Sequence, residues 1–581
     1  MQRLPSAYYF LPTSIAERLY LQLSTLAKRG SLILFFVVAA FYLYGLGHLP
    51  LLGPDEPRYA QIAREMYTRA DLITPTLGGH PWFEKPALLY WMMIASYKLF
   101  GVTEWTARLP AAVAGLLTVG AVFFVGRSVS SDFRRTKDMA EPSDQRGTNK
   151  IVCPTDLGFW SALAAATTLG IVVFARAASF DIIVTMTIAW ALAFFLVSEL
   201  TADSHHRRRL LFGFYVFVGL SLLAKGLIGI VIPLGIVGLY SLFRRRLPER
   251  KVLMSVLWGV PLSLAVASLW YAPVIWRHGW PFVDQFFIQH QFARYVSNRY
   301  RHPAPVYFYL LILIPLTLPW TAFIIDEIRG SKPWQRKRAE DPTTKLLNFA
   351  FAWLLFPLLF FSFSTSKLPG YILPVLPAMT LLAGYRLSRI SFSLGEGKWA
   401  LRITAAVSML LAGAVPIFAW RTGHPALLCA GIIATCLGVA GVLLLISRNR
   451  CASLIVTAAA LGVVLVVLHC WAPQSAEHQT AKHLLQLADQ RGFSQTLIYG
   501  LQRDDRTPEF YAGGRVIYGS DQEPIMFESQ APAIAESLRR KEPLLVFVPL
   551  SELASLVEES PEYIDVIGDN GRIALIVIRE K

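Results

Sequence analysis

Long apolar runs separated by short charged loops fill the first 471 residues of this 581-residue chain. A helix that crosses a bilayer needs about 20 mostly apolar residues. Runs of this kind fall at about 31–50, 105–129, 154–175, 182–201, 209–224, 226–243, 252–275, 305–325, 346–364, 370–386, 400–420, 424–446 and 451–471, which predicts about thirteen spans. The runs at 209–224 and 226–243 join almost directly through Ala224-Lys225-Gly226.

One further apolar stretch, 86–101, raises a question of parity. If it also crossed, the loop holding Arg134, Arg135, Lys137, Arg146 and Lys150 would face outside, against the bias that keeps Lys and Arg in inner loops. The stretch is short and holds Lys98, so it is expected to lie as a helix along the outer surface. The remaining inner loops are then all basic, including Arg207-Arg208-Arg209 and Arg244-Arg245-Arg246.

An odd number of spans from an N-terminal segment (1–30) on the inside puts residues 472–581 outside. There the pattern changes to that of a folded aqueous domain, with a helix at 475–491 and strands at Thr496–Tyr499, Arg515–Tyr518, Leu544–Val548 and Ile573–Ile578, as in a small α/β unit. The basic segment 1–30 precedes the first span, and no small-residue cleavage site follows that span, so it reads as a retained anchor.

Composition agrees with the pattern: 54% hydrophobic residues, 16% charged residues and a mean hydropathy of +0.46 describe a polytopic helical membrane protein. The net charge of +16 comes from clusters between apolar runs, so it orients the chain and does not indicate nucleic-acid binding. Cys153, Cys429, Cys436, Cys451 and Cys470 have no CxxC spacing and read as packing residues.

Candidate chemistry gathers on the outer face. The loop Gly53-Pro-Asp-Glu-Pro-Arg-Tyr-Ala60, followed by His80-Pro-Trp-Phe-Glu-Lys-Pro86, puts ionisable groups at the lip of a bilayer, where they are costly and tend to mark a reaction site. Pro54 and Pro57 restrict the backbone around Asp55; Asp55 is also a candidate cap for a helix 58–69. Glu84 and Lys85 are either a local ion pair or, as neighbours in an extended segment, directed to different partners, and the second is expected. Asp181 opens the span near Ile182, either as a cap with Arg176 as counter-ion or as a second outer carboxylate. His290 and Arg294 are four apart and share a helix face. The loop Ser364-Thr-Ser-Lys367-Leu-Pro-Gly-Tyr371 joins a cation to a flexible turn, either an ordinary interhelical turn or a flap over a phosphate.

Asp55-Glu-Pro-Arg-Tyr-Ala60, Phe83-Glu-Lys-Pro86 with Tyr90-Trp91, Arg176 to Asp181, Leu223-Ala-Lys-Gly226, Phe286 to Arg294 and Ser366-Lys-Leu-Pro-Gly-Tyr371 together resemble the polyprenyl-linked glycosyltransferases of the GT-C class. The resemblance is to the bacterial aminoarabinose transferases of lipid A and their protein mannosyltransferase-like relatives. It covers most of residues 31–385 and implies a transmembrane glycosyltransferase domain at 31–471 with a periplasmic α/β domain after it, in a bacterial inner membrane.

The family implies transfer of a sugar from undecaprenyl phosphate, or a similar lipid carrier, to lipid A or another periplasmic acceptor. On that basis Asp55 and Asp181 are the expected catalytic carboxylates. Arg58, Lys85, Arg294 and Lys367 are expected at the carrier phosphate, Tyr371 on a flap over the lipid site, and Glu56 and Tyr59 beside the sugar or acceptor. The family also implies a divalent metal (Zn, Mg or Mn) in some members, for which Glu84, His290 and His478 are the positions to compare. The alternatives are a protein O-mannosyltransferase-like enzyme and, from another class, a lipid or sugar transporter or flippase, against which stands the absence of paired half-repeats.

Overall fold

The structure, a computed structural model, describes residues 35–140, 157–293, 304–331, 341–392, 396–421, 427–447, 449–501, 506–519, 521 and 523–579. Apolar sequence in lipid must satisfy its backbone internally, which selects helices. The helices in order are α1 (35–43), α2 (Asp55–Thr68), α3 (Leu88–Phe100), α4 (Glu104–Ala140), α5 (Leu157–Thr167), α6 (Leu169–Ala175), α7 (Phe180–Leu200), α8 (Ser204–Lys225), α9 (Ile228–Arg244) and α10 (Arg250–Val283). A π-helical stretch Asp284–Ala293 continues α10, and then come α11 (Phe308–Leu316), α12 (Thr321–Ser331), α13 (Pro342–Ser362), a 3-10 turn Pro369–Val375, α14 (Leu376–Phe392), α15 (Lys398–Arg421), α16 (Leu427–Ile446) and α17 (Arg450–Glu477).

Helix overlies every predicted span, but the count of thirteen is not reached by length and apolarity. Among the described residues seven helices are long and apolar enough to cross a membrane, or up to nine if each of two bent pairs is one span. The bends have local causes. Between α5 and α6, which meet at 58°, Thr168 is extended at ψ 120°; the break is sealed by Leu169 N–H donating to the Leu318 carbonyl at 3.0 Å and Trp320 Nε1 donating to Thr167 Oγ1 at 3.0 Å. Thr317–Trp320 turns α11 into α12 at 118°. Gly226, at φ +71°, separates α8 from α9, and α9 is only 17 residues long. The expected surface segment 86–101 is the 13-residue α3, which is short for a span and packs on α2, α4 and α8.

The C-terminal region holds α18 (Lys482–Gln490) and a five-stranded sheet in the order β4-β3-β5-β7-β6, where β3 is Ile498–Leu501, β4 Met526–Phe527, β5 Leu544–Pro549, β6 Ile564–Asp569 and β7 Ile573–Ile578. A short hairpin, β1 (Thr76–Leu77) with β2 (His80–Pro81), lies between α2 and α3. β5 pairs parallel to β3 and antiparallel to β7. Two expectations shift: Arg515–Tyr518 makes isolated bridges and no strand, and α17 runs past residue 471 to Glu477. β6 escapes the sequence pattern because its buried residues, Ile564 and Ile567, are three apart, across a register shift between Val566 and Gly568 that breaks the alternation.

One buried ion pair fixes the entry to α2. Arg108, 4% exposed, donates to the Leu46, Leu49 and Pro50 carbonyls at 2.6–2.9 Å. Its remaining N–H groups grip Glu56 on both carboxylate oxygens, Nε to Oε1 at 2.9 Å and Nη2 to Oε2 at 2.7 Å. Glu56 also accepts from Leu52 N at 3.0 Å and Ala178 N at 2.7 Å. Three segments, the end of the first apolar run, α2 and the loop before α7, thus meet on one carboxylate and one guanidinium.

Burial alone pushes the Glu56 carboxyl up, and the charge and hydrogen bonds of Arg108 with the two backbone donors outweigh it and hold the group below its ordinary value. The stability this lowering supplies is full above the ordinary carboxylate range and is lost as pH falls through the depressed value. Removing one partner of such a pair costs about 3–5 kcal/mol, so Arg108→Leu is expected to destabilise the protein by about that much, and Arg108→Leu with Glu56→Leu by markedly less. Unfolding of both variants in detergent measures this; equal losses would show that the pair is not what holds the loop.

Candidate active site at the outer mouth

α2 begins at Asp55, after Pro54, with Asp55 and Glu56 in its first turn. Carboxylates there suit the positive helix end. The expected cap is corrected: Asp55 is the first helical residue, and the helix begins three residues before the predicted 58–69. Glu56, locked by Arg108, fixes the rotation of this turn and leaves the Asp55 side chain exposed. Tyr59, one turn on, is buried with its ring edge-on to Phe180 at 4.9 Å.

Across the mouth, Ser179 caps α7, its Oγ accepting from Asp181 N at 3.1 Å. Asp181 therefore sits in the first turn, and its counter-ion is Lys225 at the end of α8, not Arg176. Arg176 is spent on the Phe41 and Tyr44 carbonyls at 3.0 and 2.6 Å. The Lys225 ammonium also lies 4.5 Å from the centre of the Tyr371 ring, in cation–π range. Tyr371 belongs to the 3-10 turn that starts at Pro369, and Tyr309 Oη pins that turn by donating to the Leu368 carbonyl at 3.2 Å.

A cavity of ≈ 200 Å³ opens between these elements, lined by Asp55, Glu56, Tyr59, Lys85, Asp181, Lys225 and Tyr371, with Phe174, Leu368 and the 177–180 backbone closing it. It sets three carboxylates, one of them (Glu56) already held by Arg108, and two ammonium groups around one space, an arrangement that can bind an anion and activate or orient a nucleophile.

Six of the residues singled out from the sequence therefore line one cavity: Asp55, Glu56, Tyr59, Lys85, Asp181 and Tyr371. Glu84 and Lys85 do pair, at 2.8 Å, because the chain turns between them instead of staying extended. Arg58 points away from the lining, its guanidinium 5.3 Å from the Trp82 ring and its Nε 3.8 Å from Glu509 of the C-terminal region. Lys367 is buried and donates to the Ser364 carbonyl at 2.5 Å. Arg294 lies outside the described residues.

Among the described residues no group of three or more His, Cys, Asp or Glu side chains is arranged to hold a metal ion. Glu84, His290 and His478 therefore do not form the ligand set compared above: Glu84 is engaged with Lys85, His290 sits on the π-helical stretch after α10, and His478 Nδ1 is 2.6 Å from the Asn570 carbonyl.

Three contributors had no assigned role in the sequence reading. Lys225, at the junction Ala224-Lys225-Gly226, pairs with Asp181 and so joins segments 44 residues apart. Arg108 could have been flagged, as a lone ionisable group inside an apolar run. Gly370 is explained only by the packing: a Cβ there would stand 1.9 Å from Asp181 Oδ2. The 3-10 turn approaches the carboxylate so closely that a Cβ at 370 would make the Asp181 side chain shift. Gly370→Ala is expected to displace the flap or Asp181 and to cost about 1–3 kcal/mol, the usual range for overpacking. Unfolding measurements check it; an unchanged midpoint with an undisturbed cavity would show that the turn has room to move.

No family model matches the chain. It is 29% identical over 369 residues to an undecaprenyl phosphate-alpha-4-amino-4-deoxy-L-arabinose arabinosyl transferase of Aeromonas hydrophila, covering 62% of this chain and 59% of that protein. It is 30% identical over 395 residues to arabinosyl transferase 2 of the same description from Pseudomonas fluorescens, covering 67% and 61%. The match thus spans about three fifths of each relative's length. In three dimensions it superposes on the crystal structure of ArnT from Cupriavidus metallidurans bound to undecaprenyl phosphate with a TM-score of 0.75 at 24% identity, over 94% of this chain and 98% of that one; the apo state of that protein matches at 0.74. The chain is a multi-pass membrane protein with the GT-C fold and a relative, in sequence and in architecture, of the aminoarabinose arabinosyl transferases.

Proposed function

We propose that this protein is a membrane glycosyltransferase that moves aminoarabinose, or a closely related sugar, from undecaprenyl phosphate to a lipid A phosphate on the periplasmic side of the inner membrane. The observation that carries the proposal is the cavity itself: Asp55, Asp181, Lys85 and Lys225 line one space under Tyr371. The relatives' names supply the sugar and the carrier, and the basic inner loops supply the orientation, with the C-terminal region and the cavity outside.

In the reaction the bond between the sugar's anomeric carbon and the carrier phosphate oxygen breaks, and a bond from that carbon to an acceptor oxygen forms. The departing phosphate gains negative charge. Lys85 and Lys225, positioned beforehand and shielded from bulk water, stabilise that charge most in the transition state. Tyr371 covers the Lys225 side of the space and limits water, the competing acceptor. An acceptor phosphate is already anionic near neutral pH, so Asp55 orients it; an acceptor hydroxyl instead gives its proton to Asp55. Asp181 holds Lys225 in place and keeps the carboxylates on opposite walls.

Purified protein given labelled undecaprenyl-phosphate sugar is expected to transfer label to lipid A and not to peptides bearing Ser or Thr. Label on peptides would favour protein O-glycosylation, and movement of intact donor between leaflets without transfer would favour a transporter. Asp55→Asn is expected to abolish turnover with folding intact; retained turnover would remove Asp55 from the chemistry. Lys85→Ala is expected to weaken carrier affinity by about tenfold or more, on the scale of 1.4 kcal/mol per tenfold. Unchanged affinity would remove Lys85 from the phosphate site.

A further inference from the structure

The C-terminal region does more than cover the membrane helices, because a single short segment of it grips α2 at three levels. Tyr511 Oη accepts from Leu51 N at 2.6 Å, just before the helix. Glu509 faces Arg58 at 3.8 Å, on the first turn. The Phe510 carbonyl accepts from Arg64 Nη1 at 2.9 Å, on the third turn, and the Arg64 guanidinium lies 5.3 Å from the Phe510 ring.

The central contact is the unusual one. Glu509 is 1% exposed, and a buried carboxylate is tolerated only with compensating partners. It has two arginines: Arg506 at 3.0 Å within its own segment and Arg58 from α2. Arg58 is buried enough that its Nε makes no hydrogen bond among the described residues. Its guanidinium lies 5.3 Å from the Trp82 ring and its Nε 3.8 Å from the Glu509 carboxylate, and the acids Glu509, Glu84 and Asp55 all favour its charge. Two of those acids, Asp55 and Glu84, stand at or beside the cavity. Glu509 is the one of the three that pulls Arg58 away from it.

We propose that Glu509 is a positioning residue for the transfer reaction: by holding Arg58 against Trp82 it sets the orientation of the first turn of α2, and with it the Asp55 carboxylate. Arg108 fixes that turn from the membrane side through Glu56, and Glu509 fixes it from the aqueous side through Arg58. This rests on the glycosyl-transfer reading for its kinetic consequence, but not for the contact itself.

The test uses the full-length protein with Glu509→Gln, Glu509→Asp and, as a control on the same segment, Tyr511→Phe. Hydrogen exchange at residues 55–60 reads the clamp whether or not the chain transfers sugar. Glu509→Gln is expected to raise exchange there by tenfold or more with the C-terminal sheet still protected, and to lower kcat by at least tenfold with KM for the undecaprenyl-phosphate sugar changed less than threefold. Glu509→Asp, which keeps the charge, is expected to recover a large part of kcat. Unchanged exchange at 55–60, or equal loss in the Gln and Asp variants, would overturn the proposal. Faster exchange in Glu509→Gln together with no transfer by the unaltered protein would leave the clamp standing and overturn the reading of the reaction instead.

Discussion

Everything at the outer mouth depends on one buried guanidinium. Arg108 takes three backbone carbonyls from the chain leaving the first apolar run and gives two hydrogen bonds to Glu56. A buried ion pair is a poor source of stability on its own, since desolvation offsets most of the Coulombic gain. Its worth here is geometric: the bidentate fork allows one orientation of α2, and Glu56 passes that constraint through Ala178 N to the loop before α7. Asp55 and Asp181, the cavity acids other than Glu56 itself, are thereby set on separate helices by a single hub. Each of the two sits in the first turn of its helix.

The site is built from helix ends meeting at the membrane surface, and their polar groups are costly for the same reason they are useful. In a medium of low dielectric constant an ammonium or carboxylate needs a partner, and an arriving phosphate or sugar competes for it. Lys225 illustrates this: Asp181 on one side and the Tyr371 ring on the other hold it in the cavity wall. Gly370 lets the 3-10 turn lie close against Asp181 and so complete that cage. Charge, turn and small residue form one device contributed by three separate segments.

Much of this was legible in the sequence, for identifiable reasons. The apolar runs are long enough to declare themselves helical, and the charges at 53–60 and 80–86 stand out because a bilayer tolerates few of them. What the sequence did not disclose were relations between distant segments. Lys225 with Asp181, Arg108 with Glu56 and Glu509 with Arg58 join residues with no common local pattern. The broken helices at Thr168 and at Thr317–Trp320 were hidden as well, because hydropathy sees apolar residues and not backbone angles; it therefore counted as straight spans what the chain folds as bends. The pairing of Glu84 with Lys85 likewise turned on a local turn that alternation cannot foresee.

The central claim is that the cavity under Tyr371 receives the carrier phosphate. The most direct measurement is a cryo-electron microscopy structure of the full-length protein with undecaprenyl phosphate bound. The account predicts phosphate density within hydrogen-bond or ion-pair reach of Lys85 and Lys225, with the prenyl chain leaving toward the membrane and Asp55 facing the phosphate's outer side. Phosphate density at any other place, with this cavity empty, would contradict it.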